Sequence, residues 1–318
     1  MISGAKFILF PNLQYLKHNL IKYDSFRFII KYFRLSMPTT ILVGDIGSTK
    51  STWWYHTTED HELHLHGYNP LVHGKPHGRQ LFESLKTQMG DTSVSTIWYY
   101  GAGVINDDIS EEIKNEILAL FPTSQVYVSS DLIGAAIAAN GKAPGTVAIL
   151  GTGSHAACWD GNSITRQATS LGYILGDEGS GCDIGKSLIQ AYFYQKLPKV
   201  IYPEMEKLLP DGRAGFFASL YSNKAPNQYL ASFAQVAVQF KEETWVKELI
   251  ADRFRLFIQS HLVPLKIDEP IHVIGAIGFI FADILTTKLK QAGLSPGKFI
   301  QNPSRQLFES HLSDGKKY

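Results

Sequence analysis

The sequence predicts an α/β protein built from two similar halves, and three observations predict it. From Thr40 to Asn140, short apolar segments rich in strand formers alternate with helix-patterned ones, the order that layered strands and helices produce. The stretches ILVGDIGSTKSTWWY (residues 41–55) and VAILGTGSHAACWDG (residues 147–161) share one plan: apolar strand, glycine-containing turn, strand with tryptophan. One such unit is ordinary. Two of them, roughly a hundred residues apart and each opening an α/β segment, indicate internal duplication.

The turn cluster Asn140-Gly-Lys-Ala-Pro-Gly145 separates the halves and marks a boundary. The expected division is residues 37–142 and 143–318, with the last helix packing back on the first half. Residues 1–36 stand apart in composition. They carry six basic side chains and one acid, net +5, which leaves −4 on the rest against +1 overall. They lack an unbroken apolar run and a small-residue cleavage site, and their apolar runs are too interrupted by charge to span a membrane. They are read as a leader outside the fold, with Met37 as the natural start.

A mildly acidic body has no electrostatic footprint for nucleic acid. With 44% hydrophobic residues in 318, the chain is long enough for two substantial cores. Cys158 and Cys182, the only cysteines, point to a reducing, cytoplasmic setting.

In chain order, the first hairpin is followed by a segment around Gly67–Leu71 and a helix over Gly78–Met89. A strand at Thr96–Tyr100 leads to a helix at Ser110–Leu120, with Ser110 as N-cap. Then come a strand at Gln125–Ser129 and Asp131, which opens the Ala-rich helix Leu132–Asn140. The second half runs through strand Thr146–Leu150, turn Gly151–Ser154 and strand His155–Trp159. An acidic glycine loop, Gly176-Asp-Glu-Gly-Ser180, precedes an amphipathic helix Ile184–Tyr194. A helical stretch Tyr229–Ser260, an apolar strand from Ile271 ending in glycines, and a helix Phe279–Gln291 complete the order.

The turn at Gly44–Ser51 nearly matches G-x4-G-K-[ST], lacking only the second glycine. A P-loop, however, runs into a helix whose N-terminal amides hold phosphate. Here Ser51-Thr-Trp-Trp-Tyr55 favours a strand, so the turn belongs to a β-hairpin. As a bare hairpin turn it implies no ligand, and Gly275-Ala-Ile-Gly278 after a strand is likewise a common pattern.

Taken together, Asp45-x-Gly-x-Thr49, Gly151-Thr-Gly-Ser154, Asp131 at a helix start, Gly172-x-x-Leu before Gly176-Asp-Glu-Gly-Ser180, and the glycine-ended strand at Gly275 form one set. The chain resembles the actin-like ATPase superfamily of sugar kinases, actin and 70-kDa chaperones. Within it, the chain is most similar to the N-acetylglucosamine kinases of the BadF/BadG/BcrA/BcrD ATPase family, over about residues 38–312. The resemblance implies two actin-like (ribonuclease H-like) domains with a nucleotide cleft between them, ATP and Mg²⁺ as cofactors, an amino-sugar acceptor, and a homodimer.

It also implies roles. Gly47, Ser48, Thr49 and Lys50 on one side, and Gly151, Thr152 and Gly153 on the other, would clasp the ATP phosphates through backbone N–H groups and hydroxyls. Gly275 and Ala276 would contact the adenosine, and Asp45 would hold Mg²⁺ through water. Asp131 would be the general base, ionised at a helix N-terminus, although an N-cap is an equally ordinary reading of that position. Asn69, Ser154, His155, Asp177 and Glu178 would line the sugar. His155 stands where the kinases carry Asn, and Leu171 where the animal enzymes carry Trp, so the acceptor stays open among N-acetylglucosamine, N-acetylmuramic acid, glucosamine and another hexose.

Three other readings fit less well. The activator ATPases of 2-hydroxyacyl-CoA dehydratases need two cysteines from one short loop for a shared [4Fe–4S] cluster; Cys158 and Cys182 are 24 positions apart. Kinases of the repressor/open-reading-frame/kinase type carry a Cys/His zinc cluster that two cysteines do not supply. A chaperone would need a substrate-binding β-domain that this length does not hold.

Overall fold

The computed structural model describes residues 40–315; the leader expected at residues 1–36 lies outside the described residues. The first sheet has the order β3-β2-β1-β4-β5. It comprises β1 (Ile41–Ile46), β2 (Lys50–His56), β3 (Asp60–His66), β4 (Thr96–Gly101) and β5 (Gln125–Ser130). β1 to β3 form an antiparallel meander, and β4 and β5 run parallel to β1. The two parallel crossovers carry α1 (Lys75–Met89) and α2 (Asp107–Leu120), as parallel neighbours require.

α3 (Asp131–Asn140) leads to a second sheet with the same plan. β6 (Gly145–Leu150), β7 (Ser154–Trp159), β8 (Ile164–Gln167), β9 (Ile271–Ile274) and β10 (Pro296–Ile300) take the order β10-β9-β6-β7-β8. β6, β7 and β8 are antiparallel neighbours, while β9 and β10 run parallel to β6. This matched topology is the duplication that the two hairpins announce. The crossover from β8 to β9 is long and mostly helical. It holds α4 (Gly172–Leu175), α5 (Gly181–Phe193), α6 (Tyr202–Leu208), α7 (Gly212–Ser222), α8 (Pro226–Ser232), α9 (Ala234–Gln239) and α10 (Thr244–Phe257). α11 (Ala276–Ile280) and α12 (Ala282–Gln291) join β9 to β10, and α13 (Ser304–Gly315) follows.

Local chemistry moves several boundaries. α1 begins at Lys75, three residues before the expected start, because Pro76 suits a first turn whose N–H has no partner. α2 begins at Asp107 and is capped by Asn106, whose Oδ1 accepts from Ile109 N at 2.9 Å. Ser110 is therefore inside the helix, and its hydroxyl donates to the Val128 carbonyl. The helical stretch expected over 229–260 consists of several helices, α8, α9 and α10 among them, and the helix expected over 279–291 is interrupted at Phe281.

Each sheet has its own core. Leu42, Ile46, Trp53, Leu81, Phe82, Leu85, Ile97 and Tyr99 fill the first; the second gathers Leu150, Ile184, Leu188, Phe233, Phe254 and Phe257 with their neighbours. α3 lies between the sheets. Leu132, Ala135, Ala136 and Ala139 pack on Val147, Ala157 and Trp159, while Ile133 and Ile137 pack with Val43, Tyr100 and α13. Alanine on both sides lets the helix sit this close. α13 crosses the first sheet, with Phe308 stacked on Trp54 (ring centroids 5.8 Å) and Trp54 Nε1 donating to Ser304 Oγ at 3.1 Å. Among the described residues, no helix is long and apolar enough to cross a membrane.

Candidate active site

The first hairpin turn, Gly47–Lys50, closes with the Gly47 N–H on the Lys50 carbonyl at 3.0 Å. The chain leaving β3, two strands later, returns onto this turn. Gly67 N donates to Thr49 O and Tyr68 N to Gly47 O, both at 3.0 Å. The approach is so close that a Cβ on Gly67 would stand 2.2 Å from the Gly47 oxygen. Asn69 follows, its Nδ2 donating to Ser48 Oγ at 3.1 Å while its Oδ1 accepts from Leu71 N. The predicted phosphate turn and the predicted sugar-side asparagine are thus directly bonded.

Two carboxylates meet beside this turn. Asp45 is the penultimate residue of β1, level with Tyr100 of β4, and Tyr100 is level with Ser129 of β5. Asp131 emerges just past the end of β5. Burial, then the neighbouring Asp131 charge, pushes the Asp45 carboxyl up to about 7, with Lys50 opposing. Asp131 is also raised, by burial first, against the pull of His155 and the backbone N–H groups of Leu132 and Asp131. The helix N-terminus was expected to dominate here; desolvation outweighs it. The cap itself is Ser130, whose Oγ accepts from Ile133 N, and Asp131 is the first helical residue. The side chain that caps the helix through Ile133 N is therefore that of Ser130 and not Asp131.

The second turn, Gly151–Ser154, closes with Gly151 N on Gly153 O at 3.0 Å. The Gly176–Gly181 loop docks on it: Gly181 N donates to Gly151 O at 2.8 Å and Cys182 N to Thr152 O at 3.1 Å. Asp177 then lies over the turn, Oδ1 accepting from Ser154 N at 3.3 Å, and a Cβ on Gly153 would touch its Oδ2 at 3.0 Å. Asp177 is nearly buried, and burial raises its pKa against the Ser154 N–H, Lys186 and His261. Ser154 Oγ is buried with no protein partner. Gly275 closes the third side. Its φ of +112° and the 2.5 Å that would separate its Cβ from the Leu150 oxygen admit only glycine. Ala276, exposed, starts α11 beside it.

The structure therefore gathers Gly47, Ser48, Thr49, Lys50, Asp45, Asn69 and Asp131 around the end of the first sheet. Gly151, Thr152, Gly153, Ser154, Asp177, Gly275 and Ala276 collect around the second. His155, whose Nε2 lies 3.1 Å from the Ala168 carbonyl, acts electrostatically on Asp131 from the second sheet. Glu178 meets His261 at 2.9 Å. Sequence reasoning did not find Gln228 or His73. Gln228 Nε2 donates to the Ser48 carbonyl at 2.7 Å, and His73 Nδ1 accepts from Asn69 N at 3.0 Å. Neither sits in a motif, and only the fold brings them to the turn. Cys158 and Cys182 are both buried and unbridged, and burial pushes the Cys182 thiol up to about 12. Such inert thiols do not make the surface thiolates of a shared cluster.

No family model and no curated protein matches the chain. Solved structures do. A proposed N-acetylglucosamine kinase from Porphyromonas gingivalis is 28% identical with a TM-score of 0.81, over 86% of this chain and 99% of that one. A second proposed N-acetylglucosamine kinase, from Chromobacterium violaceum, is 18% identical with a TM-score of 0.65, over 86% and 98%. A glucokinase from Streptomyces griseus, in complex with glucose and AMPPNP, is 12% identical with a TM-score of 0.51, over 85% and 97%. The two α/β units of this chain have the actin-like ATPase fold that these sugar kinases share.

Proposed function

We propose that the protein is an ATP-dependent sugar kinase of the BadF/BadG/BcrA/BcrD type that converts N-acetylglucosamine to its 6-phosphate. The observation that carries this reading is a carboxylate at each of two backbone-lined turns: Asp131, near Asp45, beside the first, and Asp177 over the second. The likeness to the Porphyromonas gingivalis protein supports the acceptor. The domains would be the two sheet-centred halves, with the acceptor between them.

The residues fit the cofactors. Where Gly151 would carry a Cβ there is open space, so the turn leaves room for a ligand beside it. Among the described residues no group of three or more His, Cys, Asp or Glu forms a metal cage. Asp45 with Asp131 nearby instead suits a Mg²⁺ ion that draws its other ligands from phosphate and water. ATP supplies the transferable phosphoryl group, and Mg²⁺ neutralises its charge. The protein's part is positioning and electrostatics. The Gly47–Lys50 and Gly151–Ser154 turns offer N–H and hydroxyl donors to the phosphates. Asp177 and Asn69 hydrogen-bond sugar hydroxyls, and the orphaned Ser154 hydroxyl finds its partner there. Asp131, half-buried and poised by desolvation, accepts the proton of the attacking hydroxyl.

A panel of sugars with Mg-ATP and a coupled ADP readout tests this. ADP release should be greatest with N-acetylglucosamine and lower with N-acetylmuramic acid, glucosamine and glucose. ADP release that no sugar stimulates would remove the kinase reading.

A further inference from the structure

The Gly176–Gly181 loop is braced by α10 and by the turn that continues it. That turn, Ile258–Leu262, is wound as a π-helix, a rare winding that recurs at functional sites. It carries His261, whose side chain is only 2% exposed and which stacks on Phe257 with ring centroids 5.0 Å apart. His261 Nε2 lies 2.9 Å from Glu178 Oε2. Its Nδ1 is buried without a partner. The loop rests directly on the same helix, since a Cβ on Gly179 would stand 3.0 Å from Phe257 Cβ.

The residue before Glu178 is Asp177, held at a φ of +60°. That left-handed conformation is costly for a residue with a Cβ and persists only where the surroundings over-determine it. Two bonds flank the strained position. On one side Asp177 Oδ1 accepts from Ser154 N; on the other Glu178 is tied to His261. Asp183 secures the far end, its Oδ2 accepting from Gly179 N at 3.0 Å, with Arg253 3.9 Å from its other oxygen. An apolar residue at position 261 would fill the same space without stranding a buried nitrogen. Packing alone does not account for an imidazole there.

We infer that His261 is a positioning residue: by holding Glu178 it keeps the loop in the conformation that aims Asp177 at the Gly151–Ser154 turn. The inference rests on the reading of Asp177 as the acceptor-binding carboxylate. It makes His261, which lies outside every motif of the chain, a determinant of acceptor affinity.

The test compares His261→Leu with His261→Gln, whose amide nitrogen reaches the place of Nε2. Steady-state kinetics with N-acetylglucosamine and Mg-ATP are read beside amide hydrogen exchange over residues 176–181 of the ligand-free protein. His261→Leu should raise the sugar KM by about tenfold or more, the scale of a lost hydrogen bond to a charged group. It should leave the ATP KM within about twofold and speed exchange in the loop. His261→Gln should restore both. Unchanged sugar KM and loop exchange in His261→Leu would overturn the inference, as would equal losses for sugar and ATP that Gln does not rescue. If the wild-type protein phosphorylates no sugar, the acceptor reading fails, and loop exchange still decides whether His261 holds the loop. If the position-261 variants do not fold, Glu178→Ala removes the same bond from the loop side and should speed exchange equally; protection unchanged there would overturn the inference.

Discussion

The side-chain amide of Gln228 donates to the backbone carbonyl of Ser48 at 2.7 Å, tying α8 of the second half to the first hairpin turn. Across the same turn Asn69 holds the Ser48 hydroxyl. Removing Gln228 should therefore loosen the turn without touching the reacting groups. Gln228→Ala should raise the ATP KM by about two- to tenfold, the worth of one neutral hydrogen bond, and leave the sugar KM nearly unchanged. Unchanged KM values for both substrates would show the contact to be incidental.

Asp131→Asn separates chemistry from folding, because Ser130 is the cap. Turnover should fall by at least about 10²-fold, the lower range for a positioned general base, while the melting temperature holds or rises as a desolvated carboxyl is replaced by an amide. Near-normal turnover would send the search for the base to Asp177.

Asp45 should be a group that destabilises the protein that depends on it. Its folded pKa, pushed up to about 7, lies above the ordinary carboxylate value of 3.8. Between those values the folded state binds the proton more tightly than the unfolded state, so this group's contribution to stability falls as pH rises through that window. Without nucleotide, Asp45→Asn should melt above wild type at about pH 8, and the gap should narrow steadily as pH falls toward 4, where the folded Asp45 is protonated and the unfolded one is becoming so. Its Mg-ATP-dependent turnover should be lost. Melting curves across this range check the sign; a variant less stable at every pH would refute it.

Gly275→Ala should fail differently. The added methyl meets the Leu150 oxygen and Gly151 N, at a backbone angle that disfavours any side chain. Loss of ATP affinity measured by calorimetry should accompany a stability loss of about 1–3 kcal/mol. A variant that binds ATP normally would mean that this turn is not part of the nucleotide site.

Phe308→Ala tests the return of α13. Phe308 is fully buried against Trp54, and truncations of this kind cost about 3–5 kcal/mol, read from urea unfolding. A loss below 1 kcal/mol would mean that the helix is dispensable to the first sheet.

The two hairpins, their glycine turns and the strand–helix alternation were legible because each is a local pattern: period-two strands, small turn residues, an alanine-rich helix. Asp131 and Asp177 were legible as members of motifs. What escaped the sequence is what the fold brings together over distance. β3, with histidines at 61, 64 and 66, carries too little apolar character to announce a strand. β8 and β10 are four and five residues long. Gln228 and His261 meet their partners across 180 and 83 positions, separations that no local pattern encodes. The surroundings of Asp131 are of the same kind. The helix start is visible in sequence, and the burial that outweighs it is not.

The return of α13 onto the first sheet has a consequence for how the chain is made. Val43, Tyr100 and Trp54 are covered by Leu307 and Phe308, which leave the ribosome some 260 residues after Val43. During that interval the early-made sheet presents an apolar face that Ile133 and Ile137 of α3 cover only in part, at the stage when exposed surfaces of this kind invite misassembly. The first half cannot be finished vectorially, ahead of the second. Its completion waits for nearly the whole described chain, which makes the protein one cooperative synthesis unit despite its two sheets. A fragment of residues 37–142 keeps α3 on that face but permanently lacks the cover of Leu307 and Phe308.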